Sequence, residues 1–282
     1  MTTTRGKYGV IELGFQLDST GRTTLRHLHR RVPMVVQQAL YFDEQLPDMA
    51  TVYMLSSGGP VVQGDRYRVE VELGKGAMAH ISTGAATVVA SMEPGEEAHL
   101  RQTITLDEEA YLEWLPLPLI PSREASYKAT TEILIAPSAS LLFGEVVACG
   151  RKHHNEYFDF RQLHLSQMVC HPSGRVVTRQ SLHITPTVRR PEQWALMGGL
   201  SHFGSLLIVA PPPKIQSLYE ALHPTLSHDL RVSVALLAES CGAVVGVVGD
   251  SSERVLTTLR TIASVARQEI KGVGMPREFA WR

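Results

Sequence analysis

The chain has 282 residues and 44% of them are hydrophobic, which is enough for one large β-rich domain or for two ordinary domains. Its formal net charge of -1 and its pI of about 6.9 give no reason to expect a nucleic-acid backbone as a partner. No apolar run reaches the roughly 20 residues that span a membrane, and the first residues, MTTTRGKYGVIEL, lack the apolar core of a secretory signal.

The number and spacing of the cysteines indicate the redox environment of the protein. Cys149, Cys170 and Cys241 are far apart in sequence and form no CxxC pair. An odd number of scattered cysteines suits free thiols in a reducing environment. We therefore expect a cytoplasmic protein with neither a nucleic-acid nor a membrane partner.

Strand patterns dominate the chain from residue 51 to residue 184. Arg66–Leu73 is the clearest case, because apolar residues alternate there with Arg68, Glu70 and Glu72. Glycine, proline and aspartate turns separate the segments at a spacing typical of all-β folds. The other predicted strands are 51–57, 80–82, 86–91, 99–106, 110–114, 130–135, Ser140–Ala148, 155–165 and 174–184.

The last third of the chain changes character. Residues 214–222 and 253–268 have apolar side chains at helical spacing, and Ser252 is the predicted N-cap of the second helix. Residues 231–238 and 243–248 are predicted strands. The GAVVGVVGDSS stretch resembles a glycine-rich phosphate loop only loosely, and its spacing favours an ordinary strand–turn–helix junction. No internal repeat is visible.

These patterns predict a mainly β protein. We expect a single β-rich domain over residues 1–282, built of stacked sheets, with two helices near the C-terminal end.

A proline-rich apolar stretch, LEWLPLPLIP at 112–121, interrupts the strand pattern. Pro116, Pro118 and Pro121 exclude both a helix and a central strand, because each proline lacks a backbone donor. The segment either covers a sheet edge or presents an interaction surface. The candidate partner-binding side chains are Trp114, Leu115, Leu117, Leu119 and Ile120.

Three carboxylates are candidates for chemistry. Asp65 follows a glycine at the start of a strand, and Glu113 and Glu145 lie inside segments that otherwise consist of apolar residues. A buried carboxylate is costly unless it is paired, binds a metal or lines a wet cavity. For Glu113, a solvent-facing position remains an equal alternative. His27 and His29 are predicted to share a strand face, but the neighbouring arginines disfavour a cation there.

Four stretches together resemble the urease accessory protein family UreD, also called UreH. They are GGPVVQGDRYRVEVEL at 58–73, GAMAHISTGAAT at 76–87, LEWLPLPLIP at 112–121 and SLLFGEVVACGRKHHNEYFDF at 140–160, with a weaker match in MPREFAW at 275–281. Their order and spacing agree with the family, and the proline-rich stretch is the most specific of them.

The resemblance implies a fold and a function. The fold would be a β-helix-like stack of sheets with two helices. The protein would not be an enzyme but a scaffold in assembly of the urease nickel centre, binding UreF, which recruits the GTPase UreG, and docking on apo-urease. No cofactor would be tightly bound, and nickel would pass transiently through an internal passage.

The same resemblance gives two residues a role. Asp65 and Glu145 would be weak, exchanging oxygen ligands along the nickel route. This chain has Gln180 and Ser181 where the family commonly carries a glutamate, which removes one carboxylate from that route.

Two alternatives from other classes stay open on the residues alone. One is a β-fold hydrolase or isomerase that uses Glu113 and Glu145 as acid and base. The other is a β-sandwich module that binds a carbohydrate or peptide. Against the first, no nucleophile motif is visible. Against the second, only 6% of the residues are aromatic.

Overall fold

The computed structural model describes residues 6–189, 191, 197–222 and 224–276, so the MPREFAW match lies outside the described residues from position 277 onward. The strands of the described chain are β1 Tyr8–Leu17, β2 Thr23–Arg31, β3 Met34–Val35, β4 Ala50–Ser56, β5 Arg66–Leu73, β6 Met78–Thr83, β7 Thr87–Val89, β8 Ala98–Leu106, β9 Tyr111–Trp114, β10 Leu119–Pro121, β11 Ser126–Ile135, β12 Ser140–Ala148, β13 Gln162–Cys170, β14 Val176–Ile184, β15 His202–Val209, β16 Thr225–Leu226, β17 Leu230–Leu236 and β18 Gly242–Gly249. The helices are α1 Pro212–Ala221 and α2 Ser252–Lys271.

The middle of the chain winds as a parallel solenoid. Strands β5, β8, β11 and β13 are parallel neighbours in a seven-stranded sheet, which we call the first sheet. Strands β4, β6, β9 and β12 are parallel neighbours in an eleven-stranded sheet, the second sheet. The short strands β7 and β10 pair in parallel and form a third side. The chain visits these sides in turn, so each coil stacks on the previous one.

Antiparallel strands complete both sheets. In the first sheet β2 pairs with β1 at one edge and β14 pairs with β13 at the other. In the second sheet β15, β18 and β17 follow β12. No described helix is long and apolar enough to cross a membrane.

The main core lies between the two sheets, and a second core lies under the helices. Alternation of side chains along each strand places one apolar set inside the solenoid. On the outer side of the second sheet, α2 buries Val255, Leu259, Ile262 and Ala266, the four residues predicted to face the core. The outer face of the first sheet is polar and carries no helix among the described residues.

The predicted fold class is confirmed: the structure is mainly β, its sheets are stacked as a solenoid, and both helices lie near the C-terminal end. Strands β5 and β12 have the predicted bounds. His27 and His29 do share a strand face, opposite Gly14 and Glu12.

Several local predictions were wrong. The segment 155–165 is not a strand until Gln162, because Asn155 and Phe158 have left-handed backbone angles that break the extended chain. The strands β1 and β15 were not predicted. The N-cap of α2 is Ser251, whose hydroxyl accepts from the Arg254 backbone N–H at 3.4 Å, and Ser252 is the first helical residue.

The missing repeat is explained by geometry. The solenoid repeats only in its backbone registers: Arg66 lies beside His99, His99 beside Lys128, and Lys128 beside His164. These aligned residues differ in type and the coils differ in length, so sequence self-comparison has little to detect.

Candidate functional site

A cavity of about 480 Å³ lies inside the solenoid, between the two sheets and the third side. Its walls come from all three sides, because the inner faces of the strands do not fill the space there. The lining residues include Tyr67, Val69, Leu100, Gln102, Tyr127, Ala129, Trp114, Phe143, Glu145, Val147, Thr87, Val88 and Leu119. Exposed residues Ser56, Gly59, Pro60 and Ala85 lie at its rim, so the cavity meets the surface between two loops.

Glu145 is the chemically distinctive residue of this cavity. Of the described lining residues, it alone carries a carboxylate, ammonium, guanidinium or imidazole group. Within the described part of the chain, no hydrogen bond reaches its carboxylate. Burial raises the pKa of Glu145 to about 7, because the ionised form loses its hydration. The cavity therefore presents a single acid that takes up and releases a proton near neutrality.

The proline-rich segment forms part of the cavity wall. Trp114, Pro116, Leu117 and Leu119 line it, and Trp114 stacks on Phe143 with ring centroids 5.9 Å apart. Trp114 is only 2% exposed, so in this structure it is a core residue rather than a surface residue.

The rest of the segment is half-buried. Leu115, Leu117, Leu119 and Ile120 are neither buried nor fully exposed. The Leu117 backbone N–H donates to the Thr83 hydroxyl at 3.0 Å, which ties the segment to the neighbouring coil. Leu119–Pro121 is strand β10 and pairs with β12 and with β7, so the expectation that the prolines exclude a strand with two neighbours is wrong for these three residues. The four half-buried side chains stay a prediction as a partner surface.

Asp65, the other predicted metal ligand, has a structural environment. Its carboxylate accepts from the backbone N–H groups of Lys7 and Val62, at 2.7 and 2.9 Å, and from the Tyr67 hydroxyl at 2.7 Å. The Lys7 ammonium lies 3.3 Å away. Asp65 is fully buried and is not a lining residue of the cavity, so these contacts fasten the start of β5 beside β1.

Glu113 is fully buried in a network on the other side of the second sheet. Its carboxylate lies 2.7 Å from His80 Nδ1 and accepts from the Tyr111 hydroxyl at 2.7 Å. The Arg267 guanidinium lies 3.5 Å from it and also forms an ion pair with Asp43. The alternative that Glu113 faces solvent is therefore wrong.

Glu113 and Glu145 do not face each other. Glu113 is paired in register with Leu142, three residues before Glu145, and side chains three apart on a strand lie on opposite faces. Glu113 accordingly contacts Arg267 of the covering helix, whereas Glu145 lines the interior cavity. The sheet itself separates the two carboxylates that an acid–base mechanism would need to bring together.

A preformed metal cage is not found among the described residues, where no group of three or more His, Cys, Asp or Glu side chains has the geometry to hold an ion. His27 instead lies 3.5 Å from Glu12, which also pairs with Arg68. For an ion that enters the cavity, Glu145 is the one carboxylate among the described lining residues. The other oxygen ligands there are neutral hydroxyl and amide groups such as those of Thr87 and Gln102.

Sequence reasoning missed the partners of Glu113. Arg267 belongs to the same helical face as Ala263 and Ile270, so its helical position was a usable signal of burial. His80 and Asp43 gave no such signal, because their meeting depends on the stacking of the coils and on a loop before β4.

Comparison with known proteins agrees with this architecture. A family model described as UreD urease accessory protein matches residues 7–282. The chain belongs to the UreD family. It is 33% identical over 280 residues to urease accessory protein UreD 2 of Brucella suis, covering 98% of this chain and 92% of that protein. It is 35% identical over 285 residues to urease accessory protein UreD 3 of Methylorubrum populi, with 98% and 90% coverage.

Membership in the UreD family confirms the resemblance seen in the four sequence stretches. One of these stretches supplies β5, another supplies β6, a third supplies the cavity wall at 112–121, and the last supplies β12 with Glu145. The stretches that mark the family therefore surround the cavity of this UreD protein.

Proposed function

We propose that this UreD protein is a non-catalytic scaffold in assembly of the urease nickel centre in the cytoplasm. Its partners are UreF, the GTPase UreG recruited through UreF, and apo-urease. Family membership supports the role in urease maturation. The separation of Glu113 from Glu145 by a sheet supports a non-catalytic role, since it leaves the acid–base alternative without a shared site.

Nickel is the cargo in this proposal, and Glu145 is its contact inside the cavity. The single observation that carries this step is a carboxylate without a hydrogen bond or ion pair from any described residue, in an internal space that opens to the surface. One carboxylate with a few neutral oxygens binds a divalent ion weakly, as transit requires. Because burial raises the pKa of Glu145 to about 7, ion entry would displace a proton from much of the population at neutral pH.

Asp65 is the second predicted ligand on this route, and its geometry gives it a supporting part. Its carboxylate oxygens are already bonded to Lys7, Val62 and Tyr67. Tyr67 in turn lines the cavity. We propose that Asp65 holds Tyr67 in the wall and reaches an ion only if those bonds open.

The test is the nickel content of urease purified from cells that express the urease genes with this chain intact, deleted or altered. We expect deletion and Glu145→Gln to lower nickel content, while UreF still co-purifies with Glu145→Gln. Glu132→Gln is the matched control, because Glu132 lies on the outer face of the first sheet. Full nickel content after deletion would refute the scaffold role, and full content in Glu145→Gln alone would refute the route.

The half-buried leucines give the partner test. Leu117→Asp combined with Leu119→Asp is expected to abolish co-purification with UreF or urease while the isolated protein still folds. Circular dichroism of the double variant checks the fold. Unchanged co-purification would show that the segment only closes the solenoid.

A further inference from the structure

The outer face of the first sheet carries a row of basic and imidazole side chains. Five adjacent strands place Arg66, His99, Lys128, His164 and His183 side by side in register. All five are exposed or half-buried. We call this set the basic row. It crosses β5, β8, β11, β13 and β14 close to one end of the sheet.

Two cations of the basic row, Arg66 and Lys128, are uncompensated among the described residues. Among the described residues, no carboxylate lies within ion-pair distance of Arg66 or Lys128. At the β1 end of the row, the Arg31 guanidinium lies 5.0 Å from the ring centroid of Tyr8, which is Arg66's neighbour in register. His99 is different, because its Nε2 lies 2.9 Å from Glu97. The row therefore keeps its fixed positive charges available at the surface.

The neighbouring row of the sheet differs from the basic row, because its cations are paired. One step along the strands, Arg68 and Arg101 are paired with acids at 2.5 and 3.3 Å. Those acids, Glu12 and Glu132, belong to the next row, in which Glu70 also lies. On this side the adjacent row thus carries arginines whose charge is already paired, and the row beyond it carries the acids, so the unpaired cations Arg66 and Lys128 form a narrow line.

The spacing between the strands indicates which kind of partner segment can contact successive members of the basic row. Neighbouring strands are about 4.8 Å apart. One turn of an α-helix advances about 5.4 Å, whereas alternate residues of an extended peptide are about 6.6 Å apart. A helix laid across the strands therefore places one side chain per turn near each successive member of the row.

We propose that the basic row docks an acidic stripe on a helix of a partner protein, with acids at i and i+7 opposite the uncompensated Arg66 and Lys128. This surface lies outside the cavity and outside the leucine segment 115–120. The inference goes beyond the proposed function, because docking of a partner on this surface does not depend on which ion the cavity binds.

A nucleic acid fits this face poorly. Its two lines of phosphates would cover a wide strip, and the acids Glu12, Glu70 and Glu132 lie in that strip. Recognition by a single line of acidic side chains avoids them. These three acids also favour basic or neutral residues on the side of the partner's stripe that faces them.

The experiment is site-specific photo-crosslinking in cells that express the urease genes together with the full chain. A photoreactive amino acid replaces Thr130, which lies beside Lys128 on the outer face, or Thr257, which is exposed on α2, as the position control. The adducts are identified by mass spectrometry. The charge variant is Arg66→Glu with Lys128→Glu.

A matched variant has the same change in net charge. It is Lys75→Glu with Arg175→Glu, and both residues are exposed away from the row and paired with Glu108 and Glu239. Circular dichroism melting of both variants checks folding.

We expect an adduct at Thr130 and not at Thr257, with a partner segment that carries acids two helical turns apart. We expect the yield to fall at least about tenfold in the row variant and to stay within about twofold in the matched variant. An absent adduct, an adduct insensitive to the row variant, a segment without acids, or a nucleic-acid adduct would each overturn the inference.

Discussion

Two glutamates on the second sheet, Glu113 fully buried and Glu145 half-buried, have opposite environments. Glu113 accepts from Tyr111, lies beside His80 and faces Arg267, whereas no described group forms a hydrogen bond or ion pair with the Glu145 carboxylate. Both interrupt apolar stretches of sequence in the same way. The partners of a carboxylate in an apolar strand therefore depend on the face of the sheet it occupies, because one face packs against helix α2 and the other lines the cavity.

The difference also separates structural from functional chemistry. Charges that are fully paired in a dry interior fix how elements dock, and here they fix α2 on the solenoid. A carboxylate left without partners in a cavity is destabilising for the fold, so its presence favours a role in handling a ligand.

The largest expected effect is on the paired side. Arg267→Met leaves Asp43 and Glu113 buried without their cation, and we expect the free energy of unfolding to fall by about 3–5 kcal/mol. Urea denaturation measures it. Arg254→Met on the exposed turn of the same helix is the control, with an expected loss under about 1 kcal/mol. Equal losses in the two variants would mean that the network does not hold the helix.

The next effect is the pH dependence of Glu145. Its folded pKa is raised to about 7, above the unfolded value of about 4.3, so the folded state holds an extra proton between these values. Stability from this group is therefore present at low pH and is lost as pH rises through that window. Glu145→Gln should gain up to about 3 kcal/mol relative to wild type between pH 4.5 and pH 8.

The measurement is urea denaturation of both proteins across that range. Glu132→Gln, on the exposed outer face, should show no comparable trend. A difference between wild type and Glu145→Gln that is constant with pH would contradict the unpartnered, buried state of the carboxyl.

The smallest effect compares two buried tyrosines. Tyr111→Phe removes a donor to Glu113 and should cost about 1.5–3 kcal/mol. Tyr127→Phe, beside Glu145 in the cavity wall, removes no described hydrogen bond and should cost under about 0.5 kcal/mol. Thermal and urea unfolding of the two variants measure these losses of stability. A larger loss at Tyr127 would reveal that its hydroxyl supports the cavity.

Local sequence patterns predicted much of the fold. Alternation along Arg66–Leu73 predicted that strand with the observed bounds, since a strand with one buried face needs that period. The short, nearly continuous apolar run Ser140–Ala148 predicted β12, which is buried on both faces. The helical spacing of Val255 and Leu259 predicted the buried face of α2. The family could also be inferred from the resemblance of four stretches in their order and spacing, of which the proline-rich segment is the most specific.

Only the tertiary structure decided where the charges meet. Asp43 and Arg267 come from distant parts of the chain, and the basic row joins residues of five strands through sheet register. Glu113 and Glu145 are indistinguishable by local pattern, and the packing of α2 on one face separates their roles. The physical reason is that burial, pairing and pKa depend on neighbours in space, whereas strand and helix periodicity depends on neighbours in sequence.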